Sequence, residues 1–169
     1  MQMKRALMYS GDKELLHYEE ALSAYTRLFA EHCLYHVRPY EGIPELLQEL
    51  KARGIRIAVL SNKPHARTVE NIESVFGKGY FDVVAGQKDE IPKKPDPAGV
   101  NLILEQFGCK PEECLYLGDT NTDMETGIAA GMDTVGVTWG FRDRKELASF
   151  HPRYLADHPA QVEEILSHD

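Results

Sequence analysis

Leu115-Tyr116-Leu117-Gly118-Asp119-Thr120-Asn121-Thr122-Asp123 reads as an apolar strand, a glycine turn and the opening of a helix, with Asp119 and Asp123 one helical turn apart. Two carboxylates at the carboxyl end of a buried strand suit a hard divalent cation such as Mg²⁺. Open α/β sheets hold their ligands along that edge. Two acids at a helix start can equally do no more than complement its dipole, so the surrounding chain has to decide.

Outward from this stretch the chain alternates between helical and extended patterns. Helices are expected over 43–53, 66–76, 96–107, 122–130 and 160–167, with Gly54 and Gly131 closing two of them. Strands are expected over 56–60, 81–85, 114–117, 134–137 and 154–156. Such alternation predicts an α/β fold, a Rossmann-like doubly wound parallel sheet with crossover helices. Right-handed crossovers would gather Ser61, Gly86 and Asp119 on one rim. Upstream, residues 13–31 have the pattern of an amphipathic helix, with Leu15, Leu16, Leu22, Tyr25, Leu28 and Phe29 on one side and Asp12 as N-cap. Val37-Arg38-Pro39-Tyr40-Glu41-Gly42 breaks that pattern. It divides the chain into residues 1–37 and 38–169.

Composition narrows the function classes. A formal net charge of −8 argues against a nucleic-acid surface, which needs a basic stripe. It does not argue against a phosphorylated metabolite, because a bound cation reverses the local field. No window approaches the roughly 18 apolar residues of a membrane span, and residues 1–10 lack the apolar run of a secretion signal. Three cysteines without Cys-x-x-Cys spacing suit a reduced, cytoplasmic setting. The seven histidines include no His-x-x-x-His pair, so no transition metal is assigned.

Two further signals fall at the predicted rim. In Ser61-Asn62-Lys63-Pro64 a hydroxyl and an amide follow a strand, suited to phosphoryl oxygens or to capping the next helix. In Lys93-Lys94-Pro95-Asp96-Pro97, Pro95 holds Lys94 extended while Asp96 caps a helix, so Lys94 either reaches a phosphoryl group or is simply solvated. His65, Trp139-Gly140-Phe141 and the charged run 142–146 read more simply as a solvated turn residue, ordinary packing and a solvated face.

Ser-Asn, then Lys-Pro, then Gly-Asp-x-x-x-Asp, in that order at strand ends or helix entries, resembles the haloacid dehalogenase-like hydrolase superfamily. Within it the chain is most similar to the phosphoglycolate phosphatase group. Val37-Arg38-Pro39-Tyr40-Glu41-Gly42-Ile43-Pro44-Glu45-Leu46-Leu47 and Lys94-Pro95-Asp96-Pro97 belong to the same likeness. The resemblance implies a Mg²⁺-dependent phosphatase acting on small phosphorylated metabolites through an aspartyl-phosphate, rather than a dehalogenase. Ser61 would bond phosphoryl oxygens, Asn62 would support that loop, Lys63 would face the phosphate, and Lys94 would bridge phosphoryl group and nucleophile. Asp119 would ligate Mg²⁺, while Asp123 would hold a water on the metal or orient the loop. Residues 13–31 would be part of a helical cap.

The family begins with a strand ending in Asp-x-Asp-Gly-Thr, whose first Asp attacks phosphorus, and no Asp-x-Asp occurs among these 169 residues. The expectation is a truncated or mis-started chain, poorly active alone. The strand would belong between those ending at Ser61 and Leu117, so two apolar edges would be left open. A partner chain, or a second copy, is one way to fill them. Arg5-Ala6-Leu7-Met8-Tyr9, extended into the gap, is another. A regulatory or phosphate-binding module completed by such a partner is the rival to an enzyme.

Overall fold

The computed structural model describes residues 2–168. They divide into two compact units, with the break between Val37 and Arg38. The first holds helices α1 (Gln2–Tyr9) and α2 (Tyr18–His32), where Tyr25 stacks on Phe29 at 5.6 Å between ring centroids. Residues 5–9 are therefore helical, against the extended reading; Lys4, Arg5, Ala6, Leu7 and Met8 are all strong helix formers. α2 begins at Tyr18 rather than near residue 13 because Leu15 adopts a left-handed backbone, φ +57°. Asp12 accepts from the Leu16 and His17 amides, both at 2.9 Å, and so caps that turn instead of the helix.

The second unit carries the alternation: α3 (Ile43–Ala52), β1 (Ala58–Pro64), α4 (His65–Phe76), β2 (Val83–Gln87), α5 (Ala98–Phe107), β3 (Leu115–Gly118), α6 (Asn121–Ala129), β4 (Asp133–Val137), α7 (Arg144–Ala148), β5 (Tyr154–Ala156) and α8 (Ala160–His168). Every strand pair is parallel. β1 is longer than expected and carries Ser61-Asn62-Lys63-Pro64 within it. Pro64 pairs with Gln87 after a register shift beyond Leu60. α7 was not expected from its charged sequence. Asp143 caps it through the Glu146 amide at 2.8 Å, and Leu147 is fully buried, so one helical face serves the core.

The strands form two sheets, β2-β1 and β3-β4-β5. β1 and β3 are not hydrogen-bonded to each other, and Leu117 on β3 is 39% exposed. The interruption lies where the family resemblance places a further strand. Two apolar clusters hold the unit together. One joins Leu46 and Leu50 of α3 to Ile57, Val135, Val137, Ala156 and Val162. The other sets Val100 and Leu104 of α5 and Ala130 against Leu60 of β1 and Tyr116 of β3. α5 thus ties the two sheets together through side chains where backbone pairing is absent.

Candidate active site

The carboxyl ends of β1 and β3 hold the polar groups of interest, and Lys94 joins them. Its Nζ donates to Asp123 Oδ1 at 2.7 Å and to the Leu60 carbonyl of β1 at 3.1 Å. Only 13% of the Lys94 side chain and 10% of the Asp123 side chain is exposed, so this ion pair is largely withdrawn from water. The backbone of Lys94 is fixed as firmly. Asn62 Oδ1 accepts from the Lys94 amide at 2.9 Å, and Asn62 Nδ2 donates to the Lys94 carbonyl at 3.0 Å. The Lys94-Pro95 peptide is cis, and Asp96 accepts from the Ala98 amide at 2.9 Å as α5 begins.

Ser61 Oγ accepts from the Lys63 amide at 3.1 Å, leaving its O–H to donate. Ser61, Asn62 and Lys94 line a cavity of about 360 Å³ that continues over Leu60, Val84 and Leu102. Lys63, Asp119 and Asp123 are not among its lining residues. Asp123 is nonetheless joined to it through Lys94. His65, read from sequence as solvated, instead accepts from the Gly86 amide through Nδ1 at 3.2 Å and ties α4 to β2.

Asp123 has a second task. Thr120 caps α6 by accepting from the Asp123 amide, while Asp123 Oδ2 accepts from the Thr120 amide at 3.1 Å and from its hydroxyl. This reciprocal cap closes the turn. Both carboxylate oxygens of Asp123 are therefore occupied. Asp119 differs: its Oδ2 accepts from the Phe141 amide at 2.9 Å, and its Oδ1 makes no hydrogen bond among the described residues.

Two glycines make this packing possible. A Cβ on Gly118 would fall 2.1 Å from Asp123 Cβ, and one on Gly140 would fall 2.1 Å from Asp119 Oδ2. Gly118→Ala is expected to cost about 1–3 kcal/mol, because the backbone has to move to relieve the overlap. A urea midpoint equal to that of the parent chain would contradict it.

Burial and charge act together on the ionisable groups. Burial pulls Lys94 down, but the Tyr116 phenol and the Asp123 carboxylate outweigh it, and the net direction is up. Burial raises Tyr116. Burial, then the Cys109 thiol beside it, pushes Cys114 from 9.0 up to about 12. Each of these folded values lies above its unfolded one, so the folded state holds these protons more tightly. The associated stability is complete below about pH 9 and is lost as pH rises toward about 12. Urea midpoints are expected to agree at about pH 7 and 8.5 and to fall steadily beyond about pH 9.5. A midpoint that rises over the alkaline range would refute the assignment.

Sequence reasoning gave Thr120 and Tyr116 no role and read Trp139-Gly140-Phe141 as ordinary packing rather than as the turn whose Phe141 amide binds Asp119. Thr-x-x-Asp before a helix is a capping signature and could have exposed Thr120. A backbone amide such as that of Phe141 carries no such signal, and the residue is 84% exposed.

The sequence profile of the haloacid dehalogenase-like hydrolases matches residues 1–137. Phosphoglycolate phosphatase of Aquifex aeolicus is 32% identical over 148 residues, 88% of this chain and 68% of that protein. Pyrophosphatase PpaX of Bacillus mycoides is 33% identical over 149 residues, 88% of this chain and 69% of its own. Among solved structures, a Lactobacillus delbrueckii protein provisionally assigned as a phosphoglycolate phosphatase superimposes with a TM-score of 0.87. That alignment has 28% identity and covers 96% of this chain and 76% of the other. A haloacid dehalogenase-like hydrolase of Streptococcus pneumoniae, 21% identical, shares the fold with a TM-score of 0.85 over 97% of this chain and 76% of its own. Motif order, parallel topology and these likenesses agree, and the chain belongs to the haloacid dehalogenase-like hydrolase family.

Proposed function

We propose that this chain carries the phosphate-binding side of a Mg²⁺-dependent phosphomonoester phosphatase, acting on a small phosphorylated metabolite of the phosphoglycolate kind in the cytoplasm. The observation that carries the reading is the buried Lys94, held at both backbone groups by Asn62 beside the Ser61 hydroxyl. A fixed cation and a hydroxyl donor on one cavity suit the oxygens of a phosphoryl group, whose charge grows as it is transferred. The Aquifex aeolicus relative, a phosphoglycolate phosphatase by name, supports the substrate class, while PpaX, a pyrophosphatase, supports only hydrolysis at phosphorus.

A magnesium ion fits the donor set at one point. Mg²⁺ keeps several waters and takes one or two carboxylates with phosphate oxygens, and Asp119 Oδ1 is an oxygen of that kind. Asp123 would act instead by holding Lys94 and the turn, since both its oxygens are engaged. When bound, the ion would neutralise charge on the phosphoryl oxygens. Ser61 would orient those oxygens, Asn62 would position Lys94, and Lys63 would lie at the periphery.

Because no Asp-x-Asp is present in the 169 residues, the chain is expected to hydrolyse p-nitrophenyl phosphate far below an ordinary enzyme rate of about 1 s⁻¹. Binding is the better test. Calorimetry with inorganic phosphate and Mg²⁺ is expected to show an affinity that falls about tenfold or more in Asp119→Asn, the size of one charge-assisted contact. Equal affinity for phosphate with and without Mg²⁺ would remove the metal from the proposal. No phosphate binding in the parent chain would remove the site. The interrupted sheet favours a second reading, in which the chain is a binding module that becomes catalytic only when another chain brings the missing carboxylate into the gap.

A further inference from the structure

Cys109 and Cys114 have no part in the phosphate site, yet their arrangement is a built one. Cys109 follows Gly108, which ends α5 with a left-handed backbone, and Cys114 directly precedes β3. A single 3-10 turn, Pro111–Glu113, folds the intervening segment back on itself. Backbone bonds hold both ends: the Cys109 amide donates to the Leu104 carbonyl at 3.2 Å and the Cys114 amide to the Pro111 carbonyl at 3.1 Å. The Glu113 carboxylate accepts from the Lys110 amide at 2.7 Å and closes the turn. The result is two free, half-buried thiols with their sulfurs 3.3 Å apart, packed against the α5 cluster. A disulfide needs about 2.05 Å between sulfurs. The sulfurs therefore have about 1.3 Å left to close.

We propose that Cys109 and Cys114 are a redox modification site, closing to a reversible intramolecular disulfide when the chain meets a hydroperoxide. The two sulfurs lie side by side, so either can attack first as its thiolate, for instance that of Cys109. Its sulfur takes one peroxide oxygen, the O–O bond breaks, and the other oxygen leaves as hydroxide or alkoxide. Cys109 is then a sulfenic acid. The Cys114 sulfur attacks Cys109 Sγ, the S–O bond breaks, and the departing hydroxyl takes up the Cys114 proton as water. Two thiols have lost two electrons, and the peroxide has been reduced by two. A dithiol reductant reverses the change. The site stands independently of the phosphatase reading.

The test uses the full chain with Cys33→Ser, which leaves only this pair of the three cysteines. Hydrogen peroxide is expected to lower the intact mass by about 2 Da and to abolish both maleimide additions, and dithiothreitol is expected to restore them. Adding Cys114→Ser should replace that product by a gain of about 16 Da or its multiples on Cys109. Closure should be about tenfold or more faster in the folded chain than in urea, since the turn pre-orients the sulfurs. Two maleimide-reactive thiols after peroxide, oxygen addition without the 2 Da loss, cross-linked dimers alone, or equal closure rates folded and unfolded would each overturn the proposal.

Discussion

Lys94→Met is expected to destabilise the second unit by about 3–5 kcal/mol, the usual cost of removing one partner from a buried ion pair. The lysine does more than neutralise Asp123. It also supplies a donor to the Leu60 carbonyl at the open edge of β1, so its loss strands two acceptors at once. Methionine keeps most of the volume, which isolates the charge and hydrogen-bond losses from a cavity. Trp139 packs on the larger apolar cluster and is the chain's one tryptophan, so its fluorescence during urea unfolding reports this unit. In the double variant Lys94→Met with Asp123→Asn, the second change is expected to add less than its own single effect, with a coupling of roughly 2 kcal/mol or more. A loss under about 1 kcal/mol for Lys94→Met would mean that the pair is screened by water like an exposed one.

What sequence made readable was whatever depends on periodicity and on residue type at a strand end. Apart from α7, the helix–strand order of residues 43–168 follows from apolar spacing and from stops such as Gly54 and Gly131, and element bounds shifted by only a few residues. Asp12 shows the opposite limit. Its capping bonds form, but a left-handed Leu15 delays the helix to Tyr18, and no side-chain pattern announces that φ. The charged run after Arg142 hid α7 because one buried residue, Leu147, was enough to seat it.

The site was half legible for a comparable reason. Residue types at Ser61, Lys94 and Asp119 point to phosphate and a hard cation, but partner choice is tertiary. Nothing local indicates that Asn62 holds both backbone groups of Lys94, or that Asp123 gives an oxygen to Lys94. Nor does spacing show that the Phe141 amide fixes one oxygen of Asp119 and leaves the other open. These contacts join segments more than twenty residues apart in sequence, and the packing of α5 across the two sheets helps bring Asn62, Lys94 and Asp123 within reach of one another.

That packing also sets up the largest expected effect on activity. An extended peptide of five apolar residues followed by Asp-x-Asp-Gly-Thr, added to the chain with Mg²⁺, is expected to raise p-nitrophenyl phosphate hydrolysis by about 10³-fold or more, the scale on which loss of a covalent nucleophile acts. β1 and β3 are each parallel to their one neighbour and each stands at the end of its sheet, so a parallel strand between them would gain a ladder on each side. Its carboxyl end would then emerge beside the carboxyl ends of β1 and β3. Lys94 Nζ, now satisfied by the Leu60 carbonyl and Asp123, would exchange the carbonyl for the incoming carboxylate. The Leu60 carbonyl, released from the lysine, would accept from the new strand instead. A peptide with Asn in place of the first Asp should bind with similar affinity and leave the rate at the level of the chain alone. Comparable stimulation by both peptides would show that the added carboxylate is not the nucleophile. Tight binding of the Asp peptide without any gain in rate would place the chain among binding modules rather than enzymes.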